Sequence, residues 1–485
     1  MGNHRHLFLF FCCLPWLFAS VSSQASADDE SVAGPAYSRF RLTLDSGWRK
    51  EIAGPLFYDQ VSSGQTQWGL PPFFDQTITA DVDWSEWDFL YPIVNYRRFG
   101  TEYRLQFGQL LNFSGGETPQ EKNFSHTTLF PFYFHQSSPT NSYTALFPLY
   151  GHLENRMFRD DIKFVMFPLY SETRKKDIVT DNYLFPIFDR RRGEGMSGWQ
   201  VWPLYGDDHK IPTLITNSMG DTATNGGYHN SFVLWPFFIK SRAGEGTTNP
   251  ATSLTMVPFY SRTYSPARDE ISYGFPFGYN VIHDREQNYV EHDVIWPLFV
   301  RAHGSKTVTR YFPFYSHAQH NGMESDSYGF LVYKFNHLEA PPLDRHRARV
   351  LYFLYSDTVE RNTASHDFSR HVDFWPFYSY RRELDGNRRL QVLAILEPLF
   401  PNNRVMEREY SPVWSLWRQE KNARTRAYSQ SLLWNLYRRE ISGQSKKTSL
   451  FLGLFQYQST PDGGHWSVAG LKLGGKKAAR PGATK

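Results

Sequence analysis

The chain has 485 residues, a formal net charge of +4 and two cysteines, and aromatic residues make up 17% of it. So small a charge for this length gives no indication of a nucleic-acid partner or an acidic substrate. A high aromatic content in a chain that is hydrophilic on average is typical of short strands with polar ends. It does not suit a helical core rich in Leu and Ala.

The first 27 residues have the pattern of a secretory signal peptide. Arg5 lies in a basic start, residues 7–19 form an apolar run, and Ala25-Ser26-Ala27 offers a small-residue cleavage site. The apolar run is too short to span a bilayer, which takes about 20 residues. We therefore predict cleavage after Ala27 and export. Cys12 and Cys13 both lie in this segment, so the predicted mature chain has no thiol for a disulfide, for catalysis or for a metal.

A four-residue motif recurs through the rest of the chain: an aromatic residue, Pro, Leu or Phe, and then Tyr or Phe. We number its positions 0 to 3, as in Phe167, Pro168, Leu169 and Tyr170. Successive copies in the best-defined part are about 17 to 20 residues apart, and a fixed period of this size predicts a repeat array. Clean copies begin at Phe130, Phe147, Phe167, Phe185, Trp202, Trp235, Phe275, Trp296, Phe312 and Trp375, and degenerate ones at Gly54, Tyr91, Val257, Tyr352, Trp414 and Trp434.

The domain organisation follows from this repeat. We predict a signal peptide over residues 1–27, a single β-repeat array over 28–473 and a basic disordered tail over 474–485. Two longer interruptions of the period, 206–230 and 243–252, contain many Gly, Asn and Thr residues. We predict that both are exposed surface loops.

The C-terminal third of the array defines the expected strands. Apolar runs of about ten residues, such as 429–441 and 448–458, are joined by turns of about four to eight polar residues. Connections this short cannot make parallel crossovers within a sheet. The sequence therefore predicts an all-β fold, an antiparallel meander of about twenty strands closed into a large barrel. The alternatives are a soluble β-solenoid and a radial arrangement of β-hairpins.

The motif is expected at the middle of each strand, with positions 0 and 2 on one apolar face. A proline at mid-strand removes one donor from the hydrogen-bond ladder, and such prolines normally lie at edges or bulges. Each proline therefore predicts a bulge or bend in its repeat.

The sequence contains no motif that identifies a catalytic or ligand-binding site. No zincin, Walker, dinucleotide-binding or nucleophile-elbow motif occurs, and Gly195-Met196-Ser197-Gly198 is one residue short of the last. Metal-ligating residue types occur together in predicted loops or strand ends, where they are commonly solvated. These are Asp207-Asp208-His209, Glu291-His292-Asp293 and His283-Asp284-Arg285-Glu286. We assign no catalytic, cofactor-binding or metal-ligating residue and no cofactor, and we predict a protein that is not an enzyme.

Two basic clusters follow motif strands. Arg174-Lys175-Lys176 and Arg190-Arg191-Arg192 are interpreted as charged turns that keep strand edges soluble. The alternative is that they contact anionic lipid headgroups or lipopolysaccharide. The motif aromatics are interpreted as core or membrane belt, with sugar stacking as the alternative.

The aromatic-Pro-Leu-Tyr repeats, together with the endings at 431–437 and 454–458, resemble a group of uncharacterised secreted proteins of bacterial envelopes. The similarity covers most of the predicted mature chain. It implies localisation in the cell envelope, and it assigns no functional residue.

Three functions remain open. Export, short turns and aromatic richness favour an outer-membrane β-barrel, structural or porin-like. The short apolar block and the recurrent proline favour a soluble periplasmic or surface β-repeat protein that binds or acts as a scaffold. An enzyme, the third reading, has no motif in its support. The regular C-terminal meander favours the barrel narrowly, with outer-membrane lipid or lipopolysaccharide as its partner and no nucleic acid; the sequence leaves the oligomeric state open.

Overall fold

A computed structural model describes residues 36–118, 123–139, 141–216, 222–400, 403, 405–461 and 463–473. The predicted signal peptide and the predicted basic tail lie outside these residues. Within them, 43 strands form one sheet and two more form a separate hairpin. The all-β prediction is confirmed.

The strands are short and follow one another closely. The first 22 are β1 Ser38–Arg41, β2 Gly47–Ile52, β3 Phe57–Ser62, β4 Gln65–Leu70, β5 Phe74–Thr79, β6 Trp84–Phe89, β7 Val94–Phe99, β8 Glu102–Phe107, β9 Leu111–Gly116, β10 Phe124–Leu129, β11 Tyr133–Ser137, β12 Ser142–Leu146, β13 Tyr150–Arg156, β14 Arg159–Val165, β15 Tyr170–Lys175, β16 Ile178–Tyr183, β17 Phe188–Gly193, β18 Met196–Val201, β19 Tyr205–Lys210, β20 Thr213–Thr216, β21 Thr222–Asn225 and β22 Gly227–Val233. The others are β23 Phe238–Glu245, β24 Ala251–Met256, β25 Tyr260–Tyr264, β26 Arg268–Tyr273, β27 Tyr279–Asp284, β28 Tyr289–Val294, β29 Phe299–Gly304, β30 Lys306–Tyr311, β31 Tyr315–His320, β32 Met323–Tyr328, β33 Tyr333–Ala340, β34 Leu343–Val350, β35 Tyr355–Asn362, β36 Phe368–Phe374, β37 Tyr378–Arg382, β38 Arg388–Val392, β39 Trp417–Lys421, β40 Tyr428–Leu432, β41 Tyr437–Ser442, β42 Ser445–Leu450, β43 Phe455–Thr460, β44 Gly463–Val468 and β45 Leu471–Leu473.

Each strand of the large sheet pairs antiparallel with its neighbours in the sequence, which confirms the predicted meander. One interruption occurs, where β19 pairs with β22 and the intervening β20 and β21 pair only with each other. The prediction of one exposed loop over 206–230 is therefore wrong. This stretch consists largely of strands.

The predicted number of about twenty strands is too low, because each motif ends one strand and begins the next. Between β14 and β15 the amide of Leu169 donates to the carbonyl of Met166 at 2.8 Å. The peptide bond from Phe167 to Pro168 is cis. A four-residue turn with a cis-proline third is a type VI turn. The bend predicted at each proline is a complete reversal of the chain.

The placement of proline in turns explains how the sheet accommodates so many of them. A turn proline leaves no ladder position without its donor. Its carbonyl also accepts a hydrogen bond from the next motif, as from Phe167 N–H to Pro148 at 2.7 Å and from Phe185 N–H to Pro168 at 2.8 Å. The turns are thus hydrogen-bonded to one another and extend the sheet.

In the motif copy that begins at Trp434, which has no proline, other residues reverse the chain direction. Trp434 and Asn435 both have positive φ, 53° and 60°, and the amide of Leu436 donates to Leu433 at 3.0 Å. Two consecutive residues with positive φ form the type I′ turn that suits a two-residue hairpin. Asn is one of the residues that adopt this conformation most readily.

The two faces of the sheet differ in side chains. Tyr170 pairs with Tyr183, and Ser171 beside it pairs with Asn182. Because successive side chains point to opposite faces, we call the face with Tyr170 the tyrosine face and the other the serine face. Ser171 and Asn182 are buried. A small apolar cluster on the serine face is formed by Phe134, Tyr143, Ala145, Leu153 and Phe164.

Helical structure is limited to short segments. There are 3-10 turns at Gly54–Leu56 and Ala80–Val82. A π turn at Met406–Tyr410 continues into α1, Ser411–Trp414. In the part of the chain that the structure describes, no helix has the length and apolar character needed to cross a membrane.

Candidate functional site

The meander places all motif turns along one edge of the sheet, because alternate turns of an antiparallel meander lie at the same side. We call this the motif edge and the other side the opposite edge. At position 2 of most motif turns and their equivalents, the residue is a large apolar one with 39% to 76% of its surface exposed, whereas Leu298 and Leu354 at this position are only partly exposed. The more exposed residues are Leu56, Phe73, Ile93, Leu110, Phe132, Leu149, Leu169, Ile187, Leu204, Phe237, Phe259, Phe277, Phe314, Phe377 and Leu436.

The residues at position 0 turn toward the serine face and contact one another. The ring of Phe167 lies 5.4 Å from that of Phe147 and 5.6 Å from that of Phe185, and Trp202 lies 5.8 Å from Trp235. The prediction that positions 0 and 2 share one face is therefore wrong. The turn separates them: the rings at position 0 form a row of tilted contacts, in which Phe185 and Trp235 are still 49% and 46% exposed, and position 2 lies outside this row.

A row of tyrosines borders the turns on the tyrosine face. The rings of Tyr170 and Tyr183 are 5.3 Å apart, as are those of Tyr315 and Tyr328. These residues begin or end the strands on either side of a motif turn. The motif edge thus has an apolar outer layer and an aromatic layer with hydroxyl groups directly behind it.

Charged side chains follow two residues further along the strands. On the tyrosine face Lys163 pairs with Glu172 at 3.4 Å, and Arg262 pairs with Asp269 at 3.1 Å. Their carboxylates and cations lie near mid-strand, so the apolar layer ends there. In these strands the order from the motif edge inward is apolar, tyrosine, charged, whereas Trp199 and Leu254 are exposed apolar side chains at the charged level of the same face.

The opposite edge has polar turns. The carboxylate of Asp284 accepts a hydrogen bond from the amide of Gln287 at 2.9 Å, and Asn362 accepts one from Ala364 at 2.9 Å. Side chains of Asp and Asn commonly close turns in this way. Met157 and Phe158, which are 60% and 97% exposed, are apolar exceptions, as are Val82 and Leu384 in other turns of this edge.

Of the cavities on the serine face, two have volumes between about 670 and 700 Å³. One of about 700 Å³ is lined by motif rings such as Phe167 together with Asn182 and Arg191. The other, of about 670 Å³, is lined by residues from both ends of the chain, among them Arg97 and Arg389. We call the second one the junction cavity.

Beside the junction cavity, side chains near the first strands contact β40 and the turn that follows it. Thr43 donates to Ser429 at 2.6 Å, and the side-chain amide of Asn435 donates to Glu51 at 2.6 Å. Three Arg–Glu pairs, each within one strand, lie here on the serine face. They are Arg49–Glu51 at 2.8 Å, Arg418–Glu420 at 2.6 Å and Arg438–Glu440 at 2.5 Å. We call this group of contacts the junction.

Arginines determine the ionisation of the carboxylates at the junction. Burial alone would raise the pKa of Glu420, but Arg418 and Arg389 outweigh this effect and hold the pKa below its usual range. Arg389 and Arg381 do the same for the pKa of Glu407. Both carboxylates are therefore ionised at neutral pH.

The residue triplets considered as metal ligands in the sequence do not form sites. Asp208 pairs with Arg191 on the serine face, whereas Asp207 lies 2.8 Å from the ring of His229 on the tyrosine face. Glu291 and Asp293 share the serine face, and His292 between them contacts Tyr279 at 2.9 Å. Consecutive strand residues alternate between faces. Three in a row therefore cannot converge on one ion.

The other candidates have the following positions. His283 and Asp284 end β27, and Ser197 lies in β18. Arg190, Arg191 and Arg192 also lie in a strand, β17, so their interpretation as a turn is wrong. In the other basic cluster, Arg174 and Lys175 end β15 and Lys176 begins the turn that follows.

Two groups of metal-ligating side chains in the structure were not predicted from the sequence. His337, Asp344 and His346 form one, and His317, Glu324 and Asp326 form the other. In each group the ligand atoms lie within 4.8 Å of one another. The members are spread over neighbouring strands β31 to β34, so only the strand register reveals them. The only indication in the sequence is that Asp344 and His346 are two residues apart, so that both side chains lie on the same face of a strand.

Comparison with known proteins adds no functional assignment. No protein-family model matches the chain, and no curated protein is significantly similar to it. The inference of function therefore depends on the geometry of the two edges and the two faces.

Proposed function

We propose that the protein is an exported, non-enzymatic β-repeat scaffold that binds the surface of an envelope membrane through its motif edge. The observation that carries this proposal is the exposure of a Leu, Ile or Phe at position 2 of one turn after another. Soluble monomers rarely leave contiguous apolar patches of more than a few hundred Å² uncovered. Acyl chains of one membrane leaflet are an occupant that fits a long, narrow apolar edge.

The order of layers behind the edge supports this occupant. Tyrosine and tryptophan favour the boundary between hydrocarbon and water, where the ring is buried and the hydroxyl is hydrated. Tyr170 and Tyr183 stand at this level, and the charged pair of Lys163 and Glu172 stands beyond it. Insertion by about 5–10 Å, as for other interfacial elements, would bury the turns and leave the charges in water.

Strand length favours one leaflet over a complete crossing. Most strands have six residues, which gives about 20 Å at about 3.4 Å per residue. A membrane-spanning strand needs about 9–11 residues. Exposing Glu172 or Arg262 to lipid near the bilayer centre would also be unfavourable, by about 2–4 kcal/mol for an arginine.

A membrane-spanning outer-membrane barrel, structural or porin-like, is the second candidate. The contacts between the two ends of the sheet, such as Thr43 with Ser429, favour a sheet that curves back on itself. In that arrangement the tyrosine face would contact lipid along the whole strand, including its charged rows.

A fluorescent environment probe separates the candidates. The predicted mature chain has no cysteine, so single variants Leu169→Cys, Glu172→Cys and Phe158→Cys can each carry an NBD label. With vesicles of phosphatidylethanolamine and phosphatidylglycerol, the scaffold proposal expects blue-shifted emission at Leu169 alone. A blue shift at both Leu169 and Glu172 would support the barrel. Lipid contact at Phe158, or none at Leu169, contradicts the proposal.

A binding assay tests the contribution of the edge itself. Leu149→Asp/Leu169→Asp places two charges in the motif edge, and partitioning onto the same vesicles should fall by at least about tenfold, since each half-exposed Leu contributes about 1 kcal/mol. The matched control is Met157→Asp/Phe158→Asp, which makes the same change at the opposite edge of the same hairpins. We expect partitioning of the control to be unchanged. An equal loss of vesicle partitioning in both double variants would contradict the assignment of the motif edge as the membrane contact.

A further inference from the structure

The strongest unassigned chemistry lies on the tyrosine face, away from the motif edge. His337 belongs to β33, and Asp344 and His346 belong to β34. The register pairs His337 directly with His346, and Asp344 lies two residues before His346 on the same face. All three side chains therefore point to the same side of two adjacent strands.

The three donor groups converge on one point. Nε2 of His337 lies 3.0 Å from Oδ1 of Asp344, and Nε2 of His346 lies 3.2 Å from the same oxygen. The two imidazole rings are stacked, with centroids 4.1 Å apart and an angle of 15° between their planes. Stacking holds both Nε2 atoms on the side of the carboxylate.

This geometry is close to that of a metal coordination sphere. Zn²⁺ binds histidine nitrogen at about 2.0–2.1 Å and carboxylate oxygen at about 2.0–2.2 Å, usually in a tetrahedron. Donors in such a tetrahedron are about 3.4 Å apart. The donor distances of 3.0 and 3.2 Å require only small side-chain movements to admit an ion.

The site is reachable from solvent and retains an open position. The side chains of His337, Asp344 and His346 are 27%, 17% and 44% exposed, so all three are accessible from solvent. Three protein ligands leave a fourth position for water or another ligand. Two imidazoles and one carboxylate favour a borderline ion such as Zn²⁺, Ni²⁺ or Cu²⁺ over Ca²⁺ or Mg²⁺, which prefer oxygen.

We propose that His337, Asp344 and His346 form a binding site for one divalent transition-metal ion. On binding, each neutral imidazole presents its Nε2 lone pair to the ion and carries its proton on Nδ1. The carboxylate of Asp344, which contacts both Nε2 atoms in the structure, becomes the third ligand. This site is independent of the proposed membrane contact, which uses the motif edge.

The neighbouring group on β31 and β32 provides an internal comparison. Nδ1 of His317 lies 2.8 Å from Oδ1 of Asp326, and Glu324 completes that group. It offers one imidazole and two carboxylates, a set with more oxygen and less nitrogen. We therefore expect borderline ions to occupy the site with two histidines first.

The test is titration of the full-length mature chain, made without a polyhistidine tag and treated with chelator, with ZnCl₂ by calorimetry and with Cu²⁺ by EPR. We expect one equivalent to bind first, with a Cu²⁺ spectrum that shows two coordinated nitrogens. His337→Ala/His346→Ala should weaken this binding by at least about 100-fold, and Asp344→Asn by about tenfold. The matched control is His283→Ala/His292→Ala, whose rings meet edge to face at 6.4 Å on the same face, and it should bind as the parent does.

Three outcomes overturn the proposal. One is the absence of stoichiometric binding to the parent chain. Another is unchanged binding by the His337→Ala/His346→Ala variant, and the third is loss of the first equivalent in His317→Ala, which would transfer the site to β31 and β32. Circular dichroism of each variant tests whether the sheet is intact. If the alanine variant fails to fold, His337→Gln/His346→Gln retains side-chain volume and decides the question.

Discussion

Carboxylates at the junction and carboxylates in the middle of the sheet share the serine face but ionise differently. At the junction, Glu407 and Glu420 have lowered pKa values because neighbouring arginines outweigh the effect of burial. In the middle, burial raises the pKa of Glu291, and the nearby charge of Asp293 raises it further. Burial is also the largest effect on the pKa of Asp293, and it raises that pKa as well.

The difference shows how one polar face serves two purposes. Arginines match the carboxylates at the junction, and hydrogen bonds such as that from Asn435 to Glu51 join the distant segments there. In the middle the strands are already joined to their sequence neighbours by ladders, and Asp189 and Asp208 share the single cation of Arg191. Burial raises the pKa of both aspartates.

The largest expected effect is the loss of a buried partner at the junction. Arg49→Met leaves the carboxylate of Glu51, which is 4% exposed, without its cation, and this should cost about 3 kcal/mol. Amide hydrogen exchange in β1, β2 and β39 to β41 should become about 100-fold faster, with no change near β28. Lys50→Met is the matched control, because Lys50 points to the other face and pairs with Asp59 at 31% exposure. It should cost less than about 1 kcal/mol.

Acidification should lower the local stability of the junction and raise that of the middle of the sheet. A carboxyl with a lowered folded pKa stabilises above its unfolded pKa, about 4.3 for Glu, and this stability is lost as the pH falls through the folded value. Glu407 and Glu420 follow this rule, so the junction should loosen below about pH 4. A raised folded pKa has the opposite effect, since stability increases as the pH falls through it.

The middle of the sheet should therefore become more protected as the pH falls from neutral through the raised pKa values of Glu291 and Asp293. Hydrogen exchange at several pH values, corrected for the intrinsic rate, measures both regions in one sample. Parallel changes in the two regions would contradict the difference in ionisation.

The smallest expected effect on stability comes from neutralising a carboxylate in the middle of the sheet. Asp293→Asn replaces a carboxylate with a raised pKa by a neutral group of the same shape, so local stability at pH 7 should stay equal or rise by less than about 1 kcal/mol. The same kind of change at the junction, Glu407→Gln, removes a carboxylate that pairs with Arg389 at 2.8 Å and should reduce stability. Loss of protection around β28 in the Asp293→Asn variant would show that this carboxylate is stabilising.

The sequence predicts the strand type and pairing but not the position of the turns. Short polar connections at the opposite edge carry Asp, Asn and Gly, and these were recognised as turns. The motif turns carry Phe, Leu and Pro, and type VI turns place apolar residues beside the proline without a Gly or Asn signal. A stretch such as 429–441 therefore has the pattern of one long strand, although it contains β40, a turn and β41.

The metal ligands could not be predicted for a related reason. His337 and His346 are nine positions apart in the sequence, and only the register of β33 on β34 makes them neighbours. That register depends on the turn between the strands, whose position the pattern does not fix. Contiguous groups such as Asp207-Asp208-His209 attract attention in a sequence, but the alternation of a strand separates them.

The hairpin of β20 and β21 shows that the sheet tolerates extra residues between two motif turns. It accounts for the long interval between the motifs at Trp202 and Trp235, yet their rings remain 5.8 Å apart, and the amide of Trp235 donates to Pro203 at 2.7 Å. The added segment lies at the opposite edge and leaves the row of turns continuous. Length can therefore vary at one edge without changing the spacing of the turns at the other.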